Sequence, residues 1–393
     1  MARTHRPAAA IPPLLKRMNE RTVLETIRTG APISRAEISR RAGISKPTVS
    51  LALQSLLEAG LVREASHDPG RPSYGAVFFE PVPEAALVLG LDLGARFVRG
   101  AVCDLTGSVR ARQDVELPAD TAEAAIDAIA SLHASLLPAS GLDADLVDGT
   151  VVGVPGVVDA ERGRIHLTHF TDLEGRELGT DLERRLGLAI TLENDINLAA
   201  LGEQWQGVAR GVDDFVFLSV GTGLGVGLVL RGDLHRGRNG AAGELDLARA
   251  GLAEDADPCA GAVSALAERL VSENGGGTSL APPYDPRAIF AAARAGDSVA
   301  RAVVEEVARR IALHIVPIAA VADVGLVVLG GGIAANGDLL LAPIRDLLEQ
   351  WLPYPPKVEV SSLGDAAVLT GALAVGLEAA QDNVFANRRA AAR

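Results

Sequence analysis

Two segments between residues 34 and 60 place apolar side chains at helical spacing. Those of the first segment are Ala36, Ile38 and Ala42, and those of the second are Val49, Leu53, Leu56 and Leu57. Gly43 separates the segments, while Ser45 and Pro47 suit the first turn of the second helix. The pattern predicts two helices joined by a tight glycine turn, a helix-turn-helix. An ordinary helical hairpin within a larger core is the alternative.

The charge of this region agrees with a DNA-binding role. A helix-turn-helix places the start of its second helix in the major groove of DNA. Residues 1–75 hold 12 Lys+Arg and 6 Asp+Glu, a net charge of +6, whereas the whole chain carries −13. A basic head on an acidic body suits a protein that touches phosphate with one end. The predicted DNA contacts here are Ser34, Arg35, Ser45, Lys46, Pro47, Thr48 and Ser50.

Two short strands, LVRE and AVFFE, are expected after the second helix. The loop HDPGRPSYG between them carries Arg71, so the segment reads as a wing whose arginine can enter the neighbouring minor groove. A plain linker with a chance arginine is the alternative. With a helix at residues 19–29, whose inner face is Val23, Leu24 and Ile27, residues 16–82 are predicted to form a winged helix-turn-helix domain.

Composition narrows the class of protein further. No apolar run is long enough to span a bilayer, and the N-terminus lacks the apolar core of a secretory signal. Cys103 and Cys259 are too few for a disulfide scaffold, so we expect a reducing, cytoplasmic setting and no membrane partner. Residues 1–15 and 381–393 are predicted to be disordered tails.

Beyond Ala86, apolar strands that end in glycine-rich turns alternate with alanine-rich helical stretches. Examples are LVLGLDLGARFVRG, FVFLSVGTGLGVGLVLRG and VGLVVLGGGIA. This alternation predicts an α/β fold for residues 83–380. Because glycine-rich turns bracket both halves, we expect two similar lobes with a cleft between them.

In order and spacing these motifs resemble the ROK family, which joins sugar kinases and sugar-responsive repressors on the actin-like ATPase fold. The resemblance runs from about Asn19 to about Glu378 and is strongest between Val220 and Glu244, where GTGLGVG, a spaced RG and GAAGE follow one another. The preceding winged helix resembles the repressor branch rather than the kinase branch.

The resemblance implies a sugar site. Glu193, Asn194 and Asp195 match the family's Glu-Asn-Asp motif, whose Asn holds a sugar hydroxyl and whose Asp is the general base of the kinases. We assign Asp195 to sugar binding first, with its catalytic role vestigial. Capping of the following helix by Asn194 or Asp195 is the alternative, and the two roles are compatible. The remaining effector-binding candidates are Gly156, His169 in place of a family asparagine, and Glu244.

The nucleotide side departs from the family pattern. Asp92 and Gly94 remain of an Asp-x-Gly-x-Thr phosphate loop, but Arg96 replaces its hydroxyl residue, so efficient use of ATP is predicted to be lost. A tight hairpin is the alternative for the second loop, and close packing between lobes for the third. The other vestigial loop residues are Gly221, Thr222 and Gly223 in the second loop and Gly331 in the third.

The family's structural zinc is also predicted to be absent. Many members hold it with a histidine after the sugar-binding Glu and three cysteines, since tetrahedral zinc needs four ligands. Here Leu245, Asp246 and Leu247 follow Glu244, and only Cys259 remains. We therefore expect no metal, no cofactor, and a loop stabilised by packing.

The sequence thus predicts a transcriptional repressor that binds a palindromic operator as a dimer or tetramer and responds to a sugar or sugar derivative. Two rivals remain. One is an ATP-dependent sugar kinase that carries a DNA-binding head, and the other is a DNA-binding protein that senses no ligand. The sequence leaves open whether the ligand releases the protein from DNA or strengthens its binding.

Overall fold

The structure, a computed structural model, describes residues 12–65, 76–143, 147–159, 163–168, 170, 172–245, 256–274 and 277–391. These residues form a winged-helix unit followed by two α/β lobes.

The winged-helix unit has three helices and a small antiparallel sheet in the order β1-β3-β2. The elements are α1 (Pro12–Gly30), β1 (Ile33–Ser34), α2 (Arg35–Ala42), α3 (Lys46–Glu58), β2 (Val62–Glu64) and β3 (Phe78–Pro81). Val23, Leu24 and Ile27 are fully buried against the apolar face of α3, as predicted. Gly43 adopts φ of +65° between α2 and α3, the left-handed conformation that glycine tolerates best. Because α1 already begins at Pro12, the predicted disordered tail was wrong for residues 12–15.

The first lobe is a five-stranded sheet in the order β10-β7-β4-β5-β6, with a two-stranded β8-β9 ribbon beside it. A 3₁₀ turn, Pro83–Ala85, leads into it from the winged-helix unit. Its elements are β4 (Leu87–Leu93), β5 (Phe97–Asp104), β6 (Val109–Glu116), α4 (Ala122–Ser140), β7 (Val147–Val154), β8 (Val157–Asp159), β9 (Arg164–His166), α5 (Leu178–Leu186) and β10 (Thr191–Asn194). The helix α6 (Asp195–Gln206) then leads to the second lobe.

The second lobe repeats this plan with the order β13-β12-β11-β14-β15. In each lobe an antiparallel meander of three strands is followed by two strands added in parallel to the first. The elements are β11 (Phe215–Val220), β12 (Leu224–Leu230), β13 (Asp233–Leu234), α7 (Ala260–Asn274), α8 (Pro286–Ala295), α9 (Ser298–Ala322), β14 (Leu326–Gly330), α10 (Gly331–Ala334), α11 (Gly337–Trp351) and β15 (Lys357–Val360). The expected pair of similar lobes is thereby confirmed.

The last helix, α12 (Ala367–Ala391), packs along α6 with the two backbones in contact. A side chain at Gly202 would collide with the backbone of Ala367, and one at Gly371 would collide with the backbone of Leu198. Both positions therefore require glycine, since only a residue without a Cβ allows helices to approach so closely. The pair forms a tightly packed unit beneath the first-lobe sheet.

The predicted disordered C-terminal tail was wrong, because α12 continues to Ala391. Gln381 Nε2 donates a hydrogen bond to Glu25 Oε2 of α1 (2.9 Å), and Val384 is fully buried in the core of the winged-helix unit. Asn383 Nδ2 donates to the backbone oxygen of Asp148 (2.7 Å). Gln381 and Asn383 thus tie the start of this segment to distant elements by polar contacts, which an apolar pattern does not reveal. Among the described helices, none is long and apolar enough to cross a membrane.

Candidate DNA-binding surface and ligand cleft

The start of α3 is held by its own side chains. Ser45 is the N-cap, and its Oγ accepts a hydrogen bond from the backbone N–H of Thr48 and lies 2.8 Å from the Thr48 hydroxyl oxygen. Ser50 Oγ donates to the backbone oxygen of Lys46 (2.9 Å). These hydroxyl groups stabilise the first turn of α3, so they contribute to DNA binding first by positioning this helix.

Exposed cations surround this helix start. Lys46 and Pro47 are both exposed at the first turn of α3, and Arg35 is exposed at the first turn of α2. Ser34 caps α2 by accepting a hydrogen bond from the N–H of Glu37 (3.4 Å). The structure therefore groups the predicted contacts of α2 and α3 at the helix starts, whereas predicted Arg71 lies outside the described residues.

Replacing Lys46 with alanine is expected to weaken binding to every DNA sequence by a similar factor. A phosphate contact releases counterions, so its loss lowers the dependence of log affinity on log salt concentration by about 0.9 for each contact. Titrations of one duplex at four salt concentrations measure that slope. If the slope and the affinity both stayed at wild-type values, Lys46 would not contact phosphate.

The cleft between the lobes is organised by the residues where β10 passes into α6. Asn194 is the N-cap of α6, and its Oδ1 accepts a hydrogen bond from the N–H of Asn197 (2.9 Å). Its Nδ2 donates to the backbone oxygen of Gly156 (2.9 Å), so it also fixes the loop after β7. Asn194 thus caps α6, a role that is compatible with the sugar contact expected of it, which stays a prediction. Gly156 has φ of +104°, and a Cβ there would lie 2.5 Å from the backbone oxygen of His166.

Glu193 connects the two lobes at the edge of the cleft. It is buried, its Oε1 accepts from the Asn194 N–H and from Asn197 Nδ2 (both 3.0 Å), and its Oε2 accepts from Arg236 Nε (2.6 Å). Arg236 follows β13, an edge strand of the second-lobe sheet. Sequence reasoning missed this arginine, because the ion pair joins positions 43 residues apart and only the folded chain brings them together.

Asp195 is surrounded by negative charge in this cleft. Burial, together with the nearby charges of Asp92 and Glu244, raises the pKa of its carboxyl to about 7, although the N–H of Ile196 opposes them. Three predicted site residues from separate parts of the chain thus converge: Asp92 at the end of β4, Asp195 at the start of α6, and Glu244. Carboxylates accept hydrogen bonds from hydroxyl groups, so the arrangement suits a polyhydroxylated ligand.

Replacing Asp195 with asparagine is expected to stabilise the ligand-free protein at alkaline pH. An acid whose pKa rises from 3.8 to about 7 on folding contributes stability below pH 4 that disappears as the pH rises through 7. Asparagine cannot ionise, so Asp195→Asn should raise the Tm at pH 8.5 by several degrees relative to wild type, and by much less at pH 4. Thermal denaturation at the two pH values measures this difference. An equal shift in Tm at pH 4 and at pH 8.5 would contradict the raised pKa of Asp195.

The effector-binding candidate His169, placed where the family has asparagine, lies outside the described residues. Leu173, four positions further on, is fully buried in the first-lobe core together with Phe170. The side chain at that position therefore stabilises the first lobe.

The phosphate-loop aspartate is already paired. Asp92 is 4% exposed and faces Arg99 directly in the β4–β5 register, with Arg99 Nη1 3.1 Å from its Oδ2. Burial raises the pKa of Asp92 to about 6 although Arg99 lowers it. Arg96, the residue singled out by sequence, is exposed with its guanidinium 5.7 Å from the centroid of the Phe97 ring. The cation that meets Asp92 is therefore Arg99 rather than Arg96.

The other glycine loops form compact turns within the second lobe. Gly221 N–H donates to the Gly223 oxygen (3.0 Å) in the hairpin between β11 and β12, which also contains Thr222. Gly331 has φ of +85°, and a Cβ there would lie 2.5 Å from the backbone oxygen of Val220. The close contact of Gly331 is thus with a strand of its own sheet, and the vestigial nucleotide role of the third loop stays a prediction.

After Leu245 the chain is described again from Ala256 onward. There Arg310 Nη1 donates to the Asp257 oxygen (2.8 Å), and the His314 ring Nε2 lies 2.9 Å from the Ala256 oxygen. Cys259 is 5% exposed and packs in the second-lobe core. Within the described ranges no group of three or more His, Cys, Asp or Glu side chains has metal-binding geometry. The expected lack of zinc stays a prediction, since part of this loop is not described.

A winged helix-turn-helix joined to a two-lobed, sugar-kinase-like domain defines a class of DNA-binding transcriptional regulators. The ROK family model matches residues 88–379, and a MarR family model matches residues 15–71. The chain belongs to the ROK family and, by its winged-helix unit, to the transcriptional regulators within it.

Relatives agree with this assignment. The chain is 26% identical to the xylose repressor of Caldicellulosiruptor bescii over 92% of this chain and 96% of that one. It is 30% identical to the glucokinase of Streptomyces coelicolor over 73% of this chain and 96% of the kinase. A crystal structure of a ROK family transcriptional regulator, a homolog of the Escherichia coli MLC protein, superposes with a TM-score of 0.80 and 22% identity, covering 95% of this chain and 98% of the other.

Proposed function

We propose that this regulator is a sugar-responsive repressor without kinase activity. The observation that carries the proposal is a contrast within one cleft. On the ligand side, Asn194 and Glu193 are held in a connected network beside Asp195, whereas on the phosphate side Asp92 is engaged by Arg99. A site that keeps hydroxyl-binding groups and neutralises its metal-binding carboxylate suits a sensor rather than a phosphotransferase.

The effector we propose is a monosaccharide or a simple derivative of one. The carboxylates of Asp195 and Glu244 and the amide of Asn194 are hydrogen-bonding groups suited to hydroxyls. The relative named xylose repressor supports the repressor role and puts xylose first in the panel of sugars to test.

The signal path we propose runs along α6. This helix begins at Asp195 in the cleft, and its last turns approach α1 about 18 Å away, at 1.5 Å per residue over 12 residues. Leu201, Gln204 and Trp205 line a cavity of about 420 Å³ together with residues of α12 and with three residues of α1, which are Arg21, Glu25 and Arg28. Ligand-induced movement of α6 therefore reaches the winged-helix unit through α12, whose Gln381 is hydrogen-bonded to Glu25 of α1.

The operator we propose is palindromic and is bound by a dimer. Half-sites lie about 34–36 Å apart along DNA, so both winged-helix units must be held at the matching distance. A rotation of each unit on its lobe spoils simultaneous contact. A coupling of about 1–3 kcal/mol changes occupancy about 5–150-fold.

A ligand screen followed by a DNA-binding assay tests the proposal. Pentoses, hexoses, amino sugars and their phosphates are screened by thermal shift with the purified full chain. Each sugar that raises the Tm is then added to a titration of DNA selected from a random library. We expect at least one sugar to raise the Tm and to change DNA affinity about fivefold or more. Failure of every sugar to shift the Tm would favour a regulator that senses no ligand.

The rival kinase activity has one observation in its favour, the carboxylate of Asp195 in the position of a general base. An ATP-dependent phosphorylation assay over the same sugar panel decides between the two. We expect no turnover, because Arg99 holds Asp92. Turnover that disappears in Asp195→Ala would establish the enzyme and contradict the sensor-only proposal.

A further inference from the structure

The outer face of α3 presents two side chains beyond the predicted helix start, Leu51 and Gln54. At 100° per residue, Pro47, Leu51 and Gln54 fall within about 60° of arc. The opposite side of the helix is the buried one, with Val49 and Leu56 fully covered. Pro47, Leu51 and Gln54 therefore lie on the solvent-facing side of α3. This side is continuous with the helix start that a helix-turn-helix inserts into DNA.

Leu51 is 67% exposed in the second turn of α3, whereas Leu53 is only 2% exposed. One exposed leucine carries little information alone, since apolar atoms make up much of any protein surface. The position of Leu51 on the solvent-facing side of α3 is what makes it a candidate contact for DNA. In the major groove, the apolar feature of a base pair is the C5 methyl group of thymine, which aliphatic side chains contact.

Gln54 is one turn further along the same face. Its Nε2 donates to Glu58 Oε1 at 2.9 Å, which fixes the orientation of the amide. The amide has a second N–H and a carbonyl oxygen. Those two groups match the N7 acceptor and the N6 donor that adenine presents in the major groove. Glu58 is thus a positioning residue for Gln54.

The charge around this face favours a polyanion as the occupant. At the end of α2, 76% of the Arg40 side chain and 54% of the Arg41 side chain are accessible, although both pair with Glu37. Arg35 and Lys46 stand at the two helix starts nearby. A protein partner would have to desolvate these charges, whereas DNA neutralises them with phosphate.

We propose that Leu51 and Gln54 are the residues that read A·T base pairs in each half-site. Leu51 contacts a thymine methyl group, and Gln54 forms a bidentate pair with the N6 and N7 of an adenine. This inference rests on the proposed DNA-binding function and adds to it the identity of the bases that are recognised. Cations such as Lys46 supply affinity without sequence preference, so the two roles separate in experiment.

Selection of binding sites from random duplex DNA tests the readout with the full chain. We expect Gln54→Ala to lose an adenine preference of about 5–150-fold at one position of each half-site. Leu51→Ala is expected to lose a thymine preference at another position of each half-site. Leu57→Ala is the matched control, because Leu57 is an exposed leucine, 38% accessible, in the last turns of α3. The control should select the wild-type motif.

Base analogues test the same contacts atom by atom. Deoxyuridine lacks the thymine methyl group, so its substitution at the Leu51 position should weaken wild-type binding about fourfold and leave Leu51→Ala unaffected, at about 0.8 kcal/mol for one buried carbon. A 7-deazaadenine lacks the N7 acceptor and should weaken wild type but not Gln54→Ala.

The outcomes separate this inference from the proposed function. A wild-type motif that Leu51→Ala and Gln54→Ala select unchanged would overturn the base readout and leave the DNA-binding function intact. Recovery of no motif by the wild-type chain would instead contradict the DNA-binding function itself. Circular dichroism of each variant confirms that the fold persists.

Discussion

Asn194→Ala is expected to weaken binding of the sugar ligand about 100-fold. The change removes a hydrogen-bonding partner of the ligand and also the bond from Nδ2 to the Gly156 oxygen that fixes the loop after β7. Each buried partner left unsatisfied costs about 1–3 kcal/mol, and a factor of ten in affinity corresponds to about 1.4 kcal/mol. Calorimetric titration with the sugar found in the thermal-shift screen measures the change.

The same substitution also removes an N-cap, which costs about 1 kcal/mol of stability. A control separates that general loss from the loss at the cleft. Asp285 caps α8 in the second lobe by accepting a hydrogen bond from the N–H of Arg287 (2.7 Å). Asp285→Ala should lower the Tm to a similar extent while sugar affinity stays within twofold. Equal losses of affinity in both variants would show that Asn194 acts only through stability.

Arg21→Glu is expected to disconnect the DNA-binding unit from the sugar signal. Arg21 of α1 forms ion pairs with Glu378 and Asp382 of α12, the latter at 3.2 Å. A glutamate there places three like charges together and separates α1 from the helix pair of α6 and α12. Sugar affinity and DNA affinity, each measured alone, should stay within about threefold. The effect of sugar on DNA affinity should fall from about 5–150-fold to less than twofold.

Arg294→Glu is the matched control for this charge reversal. Arg294 pairs with both oxygens of Asp338 at 2.7 Å in the second lobe. Its reversal changes the net charge equally, on two elements outside the contact between α1 and α12. The control should therefore respond to sugar as the wild type does. A response that survives in Arg21→Glu would rule out the contact between α1 and α12 as the path of the signal.

Local patterns predicted much of this molecule because the responsible interactions are local. The caps Ser34 and Ser45, the turn at Gly43 and the apolar face of α3 each depend on residues within one or two helical turns. The alternation of strands and glycine-rich turns likewise predicted the two lobes. The motif at Asn194 predicted the candidate ligand-binding side of the cleft.

Contacts between distant parts of the chain could not be predicted in this way. Arg236 meets Glu193 across the cleft, and the helix that contains Gln381 is stabilised by α1, which lies more than 350 residues earlier. Arg99 is an intermediate case. A short hairpin after Asp92 fixes the strand register, so a cross-strand pair of Asp92 with Arg99 was within reach of the sequence.

The most direct test of the central claim is the DNA affinity of the full chain, measured with and without a sugar that raises its Tm. If the cleft and the winged-helix unit are coupled through α6 and α12, saturating sugar changes the dissociation constant for the selected duplex at least about fivefold. If a sugar binds in the cleft, as shown by its loss in Asn194→Ala, and the dissociation constant does not change, the chain is not a sugar-responsive regulator.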